Sequence, residues 1–254
     1  MIQTKLFVIE LKEYFRSPAA AFWTFAYPFV ILALLMFAFG DSTVANGTNA
    51  KIEYGAFLLC GMVTINTMST SLFGFAIPLV EARQRGALKM FQVFPVWRFS
   101  YVMALVASRI TINMLFNAAF LAVGSVMFNI NLGMTPLTWL NFLLLLLVCS
   151  ATFVALGFLL VSVCNRAATA TAVANVVFFP MLFFSDLFIP SSVFPPFLQG
   201  IATYSPVGIA GAAFRDVVLN HMAIGSQALA MTVLLLMFAI SIGISSATFR
   251  WRNT

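Results

Sequence analysis

The chain has 254 residues, 62% hydrophobic and only 8% charged, with a mean hydropathy of +1.03. Soluble domains carry about 25% charged residues, so this composition excludes one and requires an integral membrane protein. The net charge of +6 does not point to nucleic acid. The basic residues are scattered at the ends of apolar segments, where they suit lipid headgroups and membrane orientation.

Thr4 to Ser17 reads as an amphipathic helix. At 100° per residue Phe7, Val8, Leu11, Tyr14 and Phe15 gather on one side, and Lys5, Lys12 and Arg16 on the other; Leu6 and Ile9 interrupt the pattern. Such a helix lies in the membrane interface, so residues 1–17 are assigned to it. Ser17-Pro18 ends it and starts the next helix. Five charges precede the first apolar run, and that run is too long for a signal-peptide core, so no cleavable signal is expected.

The first span is expected over Ala19–Phe39, with Pro28 kinking it. Gly40 to Glu53 is polar and reads as a short external loop, and Asn46-Gly47-Thr48 within it reads as a plain turn. The second span is expected over Tyr54–Ile77. Thr64, Asn66, Thr67, Ser69, Thr70 and Ser71 stud it; such small polar residues suit close helix packing, the preferred reading, with a pathway lining as the alternative.

Next comes Pro78 to Tyr101, PLVEARQRGALKMFQVFPVWRFSY, the one charged passage of any length between two apolar blocks. Glu81, Arg83, Arg85, Lys89 and Arg98 lie in it. Lys and Arg resist translocation, so residues 79–100 are assigned as a cytoplasmic loop.

The third span is expected from Tyr101 to Phe128. Arg109, two turns in, must snorkel or find a partner. The fourth is expected over Pro136–Val163, followed by a tight inner turn at Cys164-Asn165-Arg166. The fifth runs Ala167–Phe184; its small-residue start, AATATAVAN, suits packing against another helix, and Pro180 breaks its end.

Residues 185–221 hold four prolines and three glycines in a moderately apolar stretch. It is too broken for a span and too apolar for a solvated loop. Irregular backbone at membrane depth needs protein or a water cavity around it, so a re-entrant helical hairpin entering from outside is expected. The sixth span is expected over Ile224–Phe249, with Arg250 and Arg252 ending it inside. Six spans put both termini on one side. Eleven basic residues then fall inside, and two, Lys51 and Arg215, outside. The fold class is therefore an all-α integral membrane protein with six transmembrane helices, one transmembrane domain over residues 1–254.

Cys60, Cys149 and Cys164 lie in apolar segments without paired spacing or an accompanying His, and read as small buried hydrophobes. No GxxxxGK[ST] phosphate loop occurs. His221 is the only histidine, so a metal site or His-based triad lacks material. Asp186 near the outer end is a poor lone proton carrier and serves as well as a helix cap or a partner for Arg215. No catalytic, cofactor-binding or metal-binding residue is assigned.

Two passages resemble the membrane-spanning permease subunit of type-2 ABC exporters, a resemblance covering nearly the whole chain. In Val80 to Arg98, Glu81, Arg85, Gly86, Leu88, Lys89 and Pro95 stand at the family's acid, Glu-or-Arg, Gly, Leu, basic-helix and Pro positions. Arg85-Gly86-Ala87-Leu88 replaces the commoner Glu-Gly-Thr-Leu. In Leu187 to Arg215, Pro190, Pro195, Pro206 and Arg215 match the family's outer segment.

The resemblance implies a transporter with a separate ATP-binding subunit that carries ATP and Mg. It implies a second permease copy or homologue, and a plasma-membrane location such as the bacterial inner membrane. Glu81, Arg83, Arg85, Gly86, Leu88, Lys89 and Pro95 would form the coupling helix that docks on the ATP-binding subunit. Lys5, Leu11, Lys12 and Arg16 would mark the interfacial helix, and Pro190, Pro195, Pro206 and Arg215 an external gate. The implied cargo is hydrophobic, amphipathic or lipid-linked: a drug, lipid or glycan. An ATP-independent channel or secondary carrier is the alternative; paired intramembrane carboxylates or an inverted repeat would favour it, and the sequence shows neither.

Overall fold

A computed structural model describes residues 7–9, 11–12, 14, 26–39, 43–45, 51–86, 98–188 and 194–248. Helix α1 (Tyr27–Phe39) leads to a two-stranded ribbon, β1 (Thr43–Ala45) and β2 (Lys51–Glu53). Helix α2 (Tyr54–Ser71) follows and passes through a π-helical segment, Leu72–Ala76, into α3 (Ile77–Gln84). Then come α4 (Arg98–Met127), α5 (Pro136–Val163), α6 (Ala167–Phe183), α7 (Pro196–Tyr204) and α8 (Pro206–Val218). A 3-10 turn, Ile224–Gln227, starts α9 (Ala228–Thr248).

Four helical stretches are long and apolar enough to cross a membrane: Tyr54–Gln84, Met103–Met127, Pro136–Val163 and Ile224–Thr248. Pro28–Phe39 and Ala167–Phe183 are apolar but shorter. The six expected spans thus become four long helices and two short ones among the described residues. The chain is a membrane protein on these lengths and on its composition.

Local chemistry explains several boundaries. Thr135 caps α5: its Oγ1 accepts a hydrogen bond from the Thr138 N–H at 3.2 Å, and Pro136 occupies the first turn, where a missing N–H costs nothing. Ser205 and Pro206 repeat this at α8, where Ser205 Oγ accepts from the Gly208 N–H at 2.9 Å. The bounds of α5 are those expected for the fourth span.

Elsewhere the structure departs from expectation. The second span runs to Gln84 rather than Ile77, because Pro78 does not stop it. The π-helical segment ahead of Pro78 widens the backbone register, which relieves the clash a proline makes with the preceding turn. Pro180 sits inside α6, which continues to Phe183 before the Phe184 N–H closes on the Pro180 carbonyl at 2.9 Å. Pro28 lies near the start of the described part of the first span, and the start of the turn before it, where a kink would fall, lies outside the described residues. The expected external loop contains the ribbon, antiparallel and registered Thr43 to Glu53 and Ala45 to Lys51.

Helix α2 is the hub. Every one of its 18 residues except Ser69 is buried. It packs against α1, α4, α5 and α8, while α9 packs along α5. Thr152 of α5 donates to the Leu234 carbonyl of α9 at 3.1 Å. Aromatic pairs fill the seams: Phe29 meets Phe120 at 4.7 Å between α1 and α4, and Phe142 meets Phe214 at 5.6 Å between α5 and α8.

Candidate functional site

Two clusters hold the charged side chains predicted to matter, one at each end of the bundle. The first is where α3 ends. Arg85 caps the helix, and Gly86 follows with φ of 77°, the left-handed geometry that glycine adopts without strain. Glu81 and Arg85 form an i,i+4 ion pair at 3.1 Å and both face outward, with side chains 42% and 77% exposed.

Arg83 does the opposite. It is buried, and its Nη2 donates to the Cys164 carbonyl in the turn between α5 and α6. Beside it, Gln84 Oε1 accepts from the Ala167 N–H, at the start of α6, at 3.1 Å. Arg83, expected on a docking surface, therefore turns into the protein. Residues 83 and 85 lie about 200° apart around a helix, so one faces out when the other faces in. Leu88, Lys89 and Pro95 lie outside the described residues.

Of the interfacial-helix residues, Leu11 is half-buried and Lys12 exposed; Lys5 and Arg16 lie outside the described residues. Tyr14 is buried, and the Arg109 guanidinium of α4 sits 4.7 Å from its ring centre. Arg109 thus meets an aromatic face on the N-terminal segment rather than lipid, a cation–π contact strengthened by desolvation.

Above Arg109, a polar seam joins α2 to α4. Asn66 Nδ2 donates to Asn117 Oδ1 at 3.1 Å, and Asn117 Nδ2 donates to Thr67 Oγ1 at 3.2 Å and the Asn113 carbonyl at 2.9 Å. Thr70 donates to Asn113 Oδ1. All are buried, so the polar residues of the second span serve helix packing here rather than a water-lined path. Asn113 and Asn117 were missed from sequence. Their spacing from Arg109, four and eight residues on, places all three on one helical face and was the available signal.

The second cluster lies where α7 and α8 meet the end of α6. Ser205 joins α7 to α8, with Pro195 just before α7 and Pro206 starting α8; Pro190 lies outside the described residues. Arg215 of α8 is buried. Its Nη1 donates to the Asp186 carbonyl at 2.6 Å, and its Nη2 to the Asp186 carboxylate at 2.7 Å. The guanidinium also stacks 4.7 Å from the centre of the Phe57 ring of α2. The Asp186–Arg215 partnership raised by the sequence is present.

The next two residues after Asp186 are held as well. A Cβ at Gly61 of α2 would collide with the Leu187 carbonyl oxygen, and one at Gly211 of α8 would collide with the Leu187 side chain. Only glycine lets the 186–188 turn seat this deeply. Tyr54 donates to the Phe188 carbonyl at 3.0 Å.

The described residues contain no group of three His, Cys, Asp or Glu able to hold a metal. The three cysteines are free and buried, as expected of small hydrophobes. Compared with models of protein families, the chain matches that of the ABC-2 type transporter over residues 4–219, which takes in every helix through α8. No curated protein matches it.

Proposed function

The chain belongs to the ABC-2 type transporter family, which makes it a permease, the transmembrane part of an ABC transporter, and we propose that it works as an exporter driven by a separate ATP-binding subunit. In this reading residues 1–254 form one permease domain with six spans, α1 and α6 completing the set. Both termini lie in the cytoplasm of a bacterial cell, beneath its inner membrane. Two copies, or this chain and a homologous permease, form the pathway. The cargo is hydrophobic, amphipathic or lipid-linked.

ATP and Mg belong to the partner, and hydrolysis to the assembled complex. The basic end is the inner side, in keeping with the eleven-to-two distribution of Lys and Arg. The loop over 79–100 docks on the ATP-binding subunit, with the interfacial helix of residues 1–17 alongside. The segment 185–221 dips in from outside and closes the exit.

One observation carries the docking assignment. Glu81 and Arg85 present opposite charges to the exterior at the end of α3, while Arg83 and Gln84, on the same turn, are fastened to the 164–167 turn. A partner bound to that edge therefore pushes on two spans at once. Charges at a rim steer and select a partner. Closure of two docked ATP-binding subunits would tilt the spans between inward-open and outward-open forms by hinge and shear motion.

The test exchanges the charges, Glu81→Lys with Arg85→Glu, which keeps the internal pair but inverts what a partner meets. Co-expressed with its ATP-binding subunit, the variant is expected to fold normally and bind the partner about tenfold more weakly. ATP hydrolysis by the complex should fall with it. Unchanged co-purification and hydrolysis, with Lys89→Glu added, would sink the docking assignment.

A further inference from the structure

We propose that α6 is the rod that carries movement of the docking edge to the outer hairpin, with Gln84 and Arg83 as its inner fastening and the Asp186–Arg215 pair as its outer one. This rests on the reading above, in which an ATP-binding subunit engages the end of α3.

Both ends of α6 are fastened by polar contacts, and between them it is seated along a single stripe. At the start, the Ala167 N–H is held by Gln84 Oε1 at 3.1 Å, and the preceding turn by Arg83 through the Cys164 carbonyl. Three residues past its end, Asp186 is gripped by Arg215 through both carbonyl and carboxylate, at 2.6 and 2.7 Å. Leu187 is wedged between the backbones at Gly61 and Gly211. Between these fastenings α6 buries only Ala170, Ala174 and Phe178, one residue per turn along a single narrow stripe. Two of those three are alanines, and Phe178 meets Phe73 of the π-helical segment edge-on at 5.2 Å.

Helix α2 spans the same distance but is walled in on all sides, so moving it requires repacking the core. A 17-residue helix is about 25 Å of stiff rod. Held at its ends and lightly seated along its length, α6 can shift by shear without disturbing the interior. The segment joining it to the hairpin is the bidentate guanidinium grip, which resists both pull and rotation.

The experiment uses the permease with its ATP-binding subunit in lipid nanodiscs. A spin label is attached at Tyr204→Cys, an 81% exposed site on α7. Cys60, Cys149 and Cys164 are buried and do not take the label. The readout is the change in label mobility between nucleotide-free and ATP–vanadate-trapped complexes.

Two variants cut the fastenings. Gln84→Ala removes the exposed inner tie. Arg215→Lys keeps the charge, but an ammonium lacks the planar fork that spans carbonyl and carboxylate together. The expected result is that the nucleotide response of the label, taken per ATP-binding subunit retained, falls at least about fivefold in each variant. A merely structural role would lower assembly, hydrolysis and label response together. Full response in both variants overturns the proposal. No nucleotide response in the unsubstituted complex, or no retained ATP-binding subunit, overturns the docking reading itself and this proposal with it. Should Arg215→Lys fail to assemble, Gln84→Ala decides alone, since its side chain lies on the surface.

Discussion

Helices α2 and α9 are both long enough to cross a membrane, yet they stand at opposite extremes of burial. In the most apolar stretch of the α2–α3 helix 89% of residues are buried, against 22% in that of the helix containing α9. The buried one is the more polar: Thr64, Asn66, Thr67, Thr70 and Ser71 all lie in α2. In water this order would be reversed. Within a bilayer the lipid tails are as apolar as leucine, so apolar side chains gain little by leaving lipid, and what is sequestered is the set lipid cannot satisfy. Helix α9 follows the same rule: it buries only Ala230, Leu234, Ser241 and Ser245, small or polar in three of four cases. Between these two helices, burial does not follow hydropathy.

The comparison predicts unequal effects for one substitution made in both helices. Leu59 of α2 is wholly buried, and Leu236 of α9 is 57% exposed. Leu59→Ala leaves a cavity that lipid cannot enter and should cost about 3 kcal/mol. Leu236→Ala exchanges one lipid contact for another and should stay within about 0.5 kcal/mol. Unfolding of the two variants in the same detergent decides. Equal costs would mean that α9 is covered by something as closely packed as the core of α2.

A smaller effect sharpens the role of the polar seam. Asn117→Ala removes the bonds to Asn66 and Thr67 that hold α4 on α2. Hydrogen bonds between membrane helices average about 0.6 kcal/mol each, so a loss of about 1 kcal/mol is expected by unfolding in detergent. No loss would assign the α2–α4 contact to shape complementarity alone.

Much of this architecture was legible in the sequence, and the failures are instructive. The bounds of α5 were readable because Thr135-Pro136 is a helix start and Cys164-Asn165-Arg166 cannot remain in lipid. The end of the second span was not, because Pro78 reads as a stop unless a π-helical segment precedes it, and that segment has no sequence signature. The basic cluster after Pro78 was visible as charge, but charge alone does not say which way each side chain turns. Arg83 faces in and Arg85 out only because the helix persists to Gln84. The Asp186–Arg215 pair was anticipated, since each was the conspicuous charge of its neighbourhood. The seat of Leu187 between Gly61 and Gly211 was not, because a glycine in an apolar span has many uses and its partner lies 126 residues away in one case.

The smallest effect comes where the buried helix emerges from the bundle. Arg85 caps the same continuous helix that holds Leu59, but its side chain is 77% exposed and its ion pair with Glu81 lies at the surface. An exposed i,i+4 pair contributes about 0.3 kcal/mol, further reduced by salt. Arg85→Ala should therefore leave unfolding in detergent nearly unchanged at any ionic strength. That near-zero value gives the position its diagnostic use. A loss of partner binding at a residue that does nothing for stability points to what it touches outside the chain. A substantial stability loss at Arg85 would mean instead that this end of the helix is covered by the protein's own residues. Glu81 and Arg85 would then be part of the interior, not of a docking edge.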